Sequence, residues 1–565
     1  MWQTHEKKIE GRCILCDMLE DFDPNAIEEE SLRQVVRHLM NVVETLSAQV
    51  ADLSEENQRL RDENNRLKGE QGKPRILPNK GREDLSSEKE RRQSKPHHKR
   101  SKQAHISIDR EVEVKMDQKR LPADAQFKGY EEVVVQDIDF RTDNIGFRRE
   151  KYYSASQKRT YVAALPAGYQ GQFGPRVKAW VLALYFGGQM SEPKILEVLQ
   201  TVGLSISAGQ LSHMLIKDQD LFHAESAAIL RAGLSSSRWQ HLDSTGTRVN
   251  GQNQHAHVIG NPLYTAYCTL PAKDRMTMLR VLQGGADPLF RCNQLAPELM
   301  SQLGVTAKWR SLLPTLVPHN QNLTEAQLDE VLDVHLPKLG VNLRKRVKEA
   351  LAIAFYRTQT TYPVIDLLIC DDAPQFNALT IKLALCWIHE YRHFKKLLPC
   401  LAFHCQLLEA FSLAFWQLYE HLQAYRDHPS LAQANACRAE FDQLFGHSSG
   451  YQQLDECLAR TLQKRDQLLM VLSHPEILLH NNPAELGARQ RVRKRDVSLQ
   501  ARTSEGIQAW DTFETLVATA KKLGVNLFHY FSDRLTHTNL LPSLASLIQE
   551  RAPSLALGGT FGQAP

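Results

Sequence analysis

Three acidic positions stand out by what surrounds them. Asp243 lies in "SRWQHLDSTGTRVNG", after a short apolar-polar run and before turn residues. Asp371 and Asp372 end "YPVIDLLICDD", a near-continuous apolar run of the kind a buried strand requires. Glu485 heads "NNPAELGARQRVRKRD", where Arg489, Arg491, Arg493 and Lys494 crowd together with few apolar residues. Carboxylates placed where a buried strand emerges are typical of sites at strand ends. Their hard oxygens suit magnesium or manganese. A basic run grips phosphate. Acids for a cation beside cations for an anion are the parts that phosphodiester chemistry needs.

Each acid also has a plain structural use. Asp243 fits a turn cap. Adjacent strand residues point to opposite faces, so only one of Asp371 and Asp372 can share a cleft with Asp243. Asn482 fits an N-cap, Pro483 the first helical position, and Glu485 the third residue of a capping box. Arg489 and Arg493 then lie one and two turns on, with a salt bridge from Arg489 to Glu485 as the alternative to a DNA contact. Glu505 in "TSEG" is the fallback third acid, although it suits the start of its own helix. Glu390 and Asp496 read as surface residues. In "CWIHEYRHF", Cys386 and His389 form a CxxH around Trp387 without the second pair a zinc site needs.

The elements that must position these residues follow from pattern. "SRWQHLD", "QHAHVIG" and "LYTAYCTL" predict three antiparallel strands joined by short turns, with the Asp371 run as a further, buried strand. "MSEPKILEVLQTVGLSISAGQLSHMLIKD" predicts helix, turn, helix. There Ser191 and Ser207 are placed to cap the two helices, Gly203 breaks them, and Leu211 and Leu215 share a face. The spacing suits a helix-turn-helix offered to a major groove, and equally a plain helical pair.

At the front, Leu32, Leu39, Leu46, Leu53, Leu60 and Leu67 recur every seventh residue. Val36, Val43, Val50, Asn57 and Asn64 fill the companion position. β-Branched and asparagine residues at that position, with leucine at the other, favour a parallel two-stranded coil. The expected outcome is homodimerisation, against a helix packed on its own domain.

Composition sets limits. The chain has 565 residues, 42% hydrophobic and 24% charged, so it can bury a large core. A net charge of +4 leaves polyanion binding to local patches. The start "MWQTHEKKIEGRC" has no apolar signal core, and no run of about 18 apolar residues predicts a membrane span. Ten scattered cysteines suggest free thiols in a reducing cytoplasm, and Cys13 and Cys16 form a lone CxxC, two ligands short of a structural zinc site.

Taken in order, "HLDSTGTRV", "LLICDDAPQF", "CWIHEYRHFKKL" and "NNPAELGARQRVRK" resemble the motifs of DDE transposases of bacterial insertion sequences, most closely the insertion-sequence-66 family. The matching positions are Asp243, Thr245 and Val249, then Asp371 and Phe376, then Cys386, Trp387 and His389, then Asn481, Asn482, Glu485 and Arg489. The resemblance covers roughly residues 160 to 540 in patches. The cysteine-rich zinc module often found ahead of the catalytic domain in the family has no cysteines here. The stretch between Asp243 and Asp371 is longer than the family pattern.

The resemblance implies a fold and a function. The fold is α/β, an RNase H-like catalytic core with helical insertions, preceded by a parallel coiled coil, a small β-rich module and a helical DNA-binding region. The expected division is an N-terminal segment (1–30), zipper (31–68), basic linker (69–120), β-rich module (121–165), helical DNA-binding region (166–232), catalytic core (233–535) and tail (536–565). The core carries helical insertions near 286–362 and 394–478. The implied activity is metal-dependent DNA cleavage and strand transfer at terminal inverted repeats. Asp243, Asp371 and Glu485 are the implied catalytic acids and ligands of two magnesium or manganese ions. Arg489, Arg491, Arg493, Lys494, His389 and Trp387 are the expected DNA contacts. Expected partners are double-stranded DNA (element ends and target), a second copy or larger synaptic assembly, and accessory element-encoded proteins, with no membrane. The implied setting is the bacterial cytoplasm, at the nucleoid. The alternatives are a transposase-derived DNA-binding protein without catalysis, or an RNase H-like nuclease or resolvase.

Overall fold

The computed structural model describes residues 22–67, 107–117, 122, 125–138, 141–169 and 171–555. Cys13 and Cys16, most of the basic linker and the end of the tail lie outside the described residues.

Helix α1 (Glu30–Leu67) carries the leucine repeat. Its leucines are exposed, but Val36 and Val43 are not on their face: with Met40 they pack against Leu401 and Phe403 of the same chain. The expected pairing of Leu32, Leu39 and Leu46 with those two valines is therefore corrected, because the valines are committed to an internal contact.

A hairpin follows, β1 (Lys151–Ser154) with β2 (Arg159–Val162), antiparallel. Among the described residues of 121–165 it is the one regular element. Four helices come next: α2 (Pro175–Leu182), α3 (Glu192–Thr201), α4 (Ala208–Ile216) and α5 (Asp220–Ser235). The α3–α4 pair matches the expected helix-turn-helix in outline. Gly203 takes φ +90° at the turn, where a side chain would be strained. Ser207 caps α4 by accepting from the Gln210 amide, and Leu211 and Leu215 are buried. Ser191, by contrast, makes no side-chain cap.

The main sheet has the order β5-β4-β3-β8-β9. Strands β3 (Trp239–Val249), β4 (Gln252–Asn261) and β5 (Tyr264–Leu270) form the antiparallel meander read from the sequence. Asn250 and Gly251 join the first two with both φ positive, the geometry a two-residue hairpin turn demands. The chain then leaves the sheet through α6 (Arg275–Leu282), β6 (Phe290–Arg291), α7 (Ala296–Gln302), α8 (Ala307–Leu316), β7 (Asn322–Leu323), α9 (Glu325–His335) and α10 (Val341–Thr358). It returns as β8 (Leu367–Cys370), parallel to β3, and β9 (Lys382–Leu385), parallel to β8. All four residues of β8 are buried, which is why it reads as an unbroken apolar run.

A second helical excursion holds α11 (Trp387–Lys395), α12 (Ala402–Asp427), α13 (Leu431–Phe445), α14 (Gln452–Leu462) and α15 (Arg465–Leu468). Then α16 (Asn482–Ser498) lies across β3 and β4, and α17 (Ser504–Lys522) across β5. The chain closes with α18 (Leu527–Leu535) and α19 (Leu544–Arg551). No helix among the described residues is long and apolar enough to cross a membrane. The eight described cysteines are all free thiols.

Candidate active site

Strand register brings the first two acids together. His241 pairs with Ile369 across the parallel β3–β8 junction. Two residues on stand Asp243, still within β3, and Asp371, the first residue past β8, near enough for its carboxylate to act on that of Asp243. Asp372 is one residue on. Its carboxylate is held by Lys464 at 2.7 Å and lies 3.4 Å from His393 Nε2.

Cross-strand partners share a face, so the third acid can be located too. Asp243 pairs with Val258, which pairs with Tyr267, and both of these pack against Ala488 of α16. The face bearing Asp243 is thus the face that α16 covers, and Glu485 stands in the first turn of that helix. Asn481 sets the helix in place. It is the N-cap residue but makes no side-chain cap; its amide donates to the Leu242 carbonyl at 2.9 Å, and its oxygen accepts from His241 Nδ1 at 3.0 Å. The expected capping box with Asn482 is therefore replaced by a tie from the helix start to the strand carrying Asp243.

The CxxH motif meets the same helix start. Cys386 Sγ accepts from the Asn481 amide at 3.2 Å, and the Trp387 amide donates to the Leu479 carbonyl at 2.9 Å. His389 Nδ1 lies 3.3 Å from Glu485 Oε1, and Arg392 donates to Glu485 Oε2 at 3.3 Å and to His389 Nε2 at 2.9 Å. Arg392 was not singled out from sequence. Its place three residues after His389, one turn along α11, is the signal that marks it.

Electrostatics follow from this crowding. Burial, with the Glu485 and Asp371 carboxylates alongside, pushes the Asp243 carboxyl up to about 7. Burial holds the His389 imidazole below its ordinary range, against the pull of Glu485. Glu485 Oε1 and His389 Nδ1 are both buried and, despite their proximity, are not aligned as a hydrogen bond. A buried carboxylate oxygen left without a hydrogen bond, next to two further carboxylates, is a donor set that fits a hard divalent cation.

Two groupings among the described residues bring three ligand atoms within 4.8 Å of one another, and in each some of those atoms are otherwise engaged. One is Cys386, His389 and Glu485, where burial pushes the Cys386 thiol up to about 12 and its sulfur already accepts a hydrogen bond. Asp372, Glu390 and His393 also cluster, and there the Lys464 ammonium already contacts Asp372 at 2.7 Å and Glu390 at 2.9 Å. Glu390 is buried, a correction to the surface role expected of it. The fallback Glu505 is exposed and pairs with Lys217.

The basic run divides by face. Arg491 is fully buried, donating to Glu514 at 2.7 Å and Asp511 at 2.6 Å between the rings of Tyr267 and Trp510. Lys494 is buried too, its ammonium donating to the Tyr185 carbonyl over the Tyr185 ring. Trp387 is buried and donates to the Leu468 carbonyl. All three were expected DNA contacts and are instead internal, because their polar groups are used inside the fold. Arg493 is exposed and Arg489 half-buried.

Residues 357–509, which include Asp371, Cys386, His389 and Glu485 but not Asp243, match the transposase IS66 family. The uncharacterized protein y4jO of Sinorhizobium fredii is 29% identical over 333 residues, an alignment covering 57% of this chain and 100% of that protein. Through the matched stretch, the chain resembles the transposase IS66 family.

Proposed function

We propose that the protein is a DNA transposase that cleaves the ends of its element and joins them to target DNA, with Asp243, Asp371 and Glu485 as its catalytic acids. The reading is supported by their proximity: Asp371 follows the strand paired with that of Asp243, Asn481 ties the helix of Glu485 to the same strand, and both carboxylates act on Asp243. The sheet order, three antiparallel strands followed by two parallel ones, supports an RNase H-like core. The family match supports transposition as the chemistry.

Asp243, on the central strand, Asp371 and Glu485 would together hold magnesium or manganese. Bound there, the ions activate the attacking oxygen and stabilise the leaving one. In the first step water attacks the phosphorus and the DNA 3′-oxygen leaves as a hydroxyl. In the second, that hydroxyl attacks a target phosphodiester and displaces the target's own 3′-oxygen. No covalent protein-DNA bond is required. Arg392 offsets the negative charge of Glu485, and the neutral His389 ring walls the carboxylate from water. Arg493 and Arg489, on the outer side of α16, hold the DNA backbone. The α3–α4 pair is the proposed reader of element ends, and two chains pair the two ends.

The test is a nicking assay on DNA bearing the element's terminal inverted repeats, with magnesium or manganese. The wild type should nick at the ends; Asp243→Asn and Asp371→Asn should lose at least 100-fold in rate while retaining DNA affinity. Nicking that survives both substitutions would sink the assignment.

A further inference from the structure

Helix α1 has two faces with different uses. On one, Met40 is buried against Leu401 and Phe403, with Val36 and Val43 beside it. Glu44 is buried and accepts from the amides of Cys400 and Leu401 at 3.0 and 2.8 Å, and lies 3.1 Å from His404 Nδ1. Asn41 donates to the Gly450 carbonyl and accepts from the Gln452 amide. A buried carboxylate with this many donors is a built latch: its desolvation is offset only in this one seating. It fastens α1 to the start of α12 and the segment before α14.

The opposite face stays open. Leu32, Val35, Leu39, Val42, Leu46 and Val50 form a continuous apolar stripe, each 39–66% exposed. Their spacing runs 3, 4, 3, 4 and then a second 4, after which Leu53, Asn57, Leu60, Asn64 and Leu67 resume the alternation. The doubled step is a stutter, where a coiled coil locally unwinds to keep its seam facing a partner. Past the stutter the flanking charges match a parallel, in-register copy. Glu56 would face the partner's Arg61, five residues on. A shifted register breaks this pair.

We propose that a second copy of the chain docks in parallel along the stripe of Leu32, Val35, Leu39, Val42, Leu46 and Val50, while Glu44 keeps another face of α1 latched to the start of α12. The dimer seam thus uses Val35 and Val42, not Val36 and Val43, and the two catalytic bodies are held on a common stiff rod. This deepens the pairing of chains proposed above.

Single-cysteine additions in the full chain separate the two valine choices. After mild oxidation, Val42→Cys should give a disulfide-linked dimer on a non-reducing gel, at several times the wild-type background. Val43→Cys should give none above that background. Cross-linking at 43 in place of 42, or sedimentation of the wild-type chain as a monomer at micromolar concentration, would overturn the seam. For the latch, Glu44→Ala should leave the dimer intact and speed amide exchange over residues 36–46 at least tenfold; unchanged protection there would overturn it. Nicking is scored separately. A chain that cross-links at 42 but does not nick keeps the seam and loses the proposed chemistry, and the reverse result does the opposite.

Discussion

At Asp243 the proposed divalent cation would compete with a proton for the same carboxylate. The carboxyl is pushed from 3.8 up to about 7 by burial and by its acidic neighbours. A carboxyl raised in the fold favours the protonated state, so the contribution to stability is present at low pH and is lost as pH rises toward and through about 7. In EDTA, the melting temperature should therefore fall between pH 6 and pH 8. Manganese should restore it, by a margin that grows with pH. Asp243→Asn should flatten both trends, and an Asn variant with the wild-type pH profile would refute the placement of the cation. Arg491 and Arg493 give a second residue-scale contrast. Removing one partner of a buried ion pair costs about 3–5 kcal/mol, so Arg491→Ala should lower the urea midpoint sharply. Arg493→Ala should leave that midpoint within error and weaken DNA binding, with a shallower salt dependence. Equal effects of the two substitutions on stability would count against the division of the basic run by face.

Among the elements, α16 is the one whose distance from the sheet sets the site. It comes close enough to graze β4 because Gly487 has no side chain: a Cβ there would meet Val258 Cγ1 at 2.5 Å, and Tyr267 donates to the Gly487 carbonyl at 3.1 Å. Gly487→Ala should push the helix outward, at an overpacking cost of about 1–3 kcal/mol, and move Glu485 from Asp243. A nicking rate down at least tenfold in a protein that still melts cooperatively is the expected result; full activity would show that this close approach is dispensable. The same helix explains what could be read in one dimension. The acids were legible because a buried strand ending in aspartate and a helix opening on Asn-Asn-Pro leave local signatures. The burial of Arg491 and Lys494 was not, since charge normally marks a solvated face. Its signal lies elsewhere in the chain: Asp511 and Glu514, three apart on α17, supply one turn of matching charge. In α1 the limit was different. "VV" occurs at both 35–36 and 42–43, so a heptad rule fits either valine of each pair. Only packing on Leu401 and Phe403 tells them apart.

For the whole molecule, the second helical excursion is large, yet its two ends touch. The Trp387 amide meets the Leu479 carbonyl, and the Cys386 sulfur meets the Asn481 amide. The excursion leaves and returns at that short neck. Because closing a loop costs only about 0.6 kcal/mol more for each doubling of its length, material added beyond α11, whose His389 and Arg392 meet Glu485, should disturb the geometry of the acids little. The neck is thus a splice point: a lineage can lengthen, shorten or exchange what hangs there, and change what the protein grips, without redrawing the chemistry.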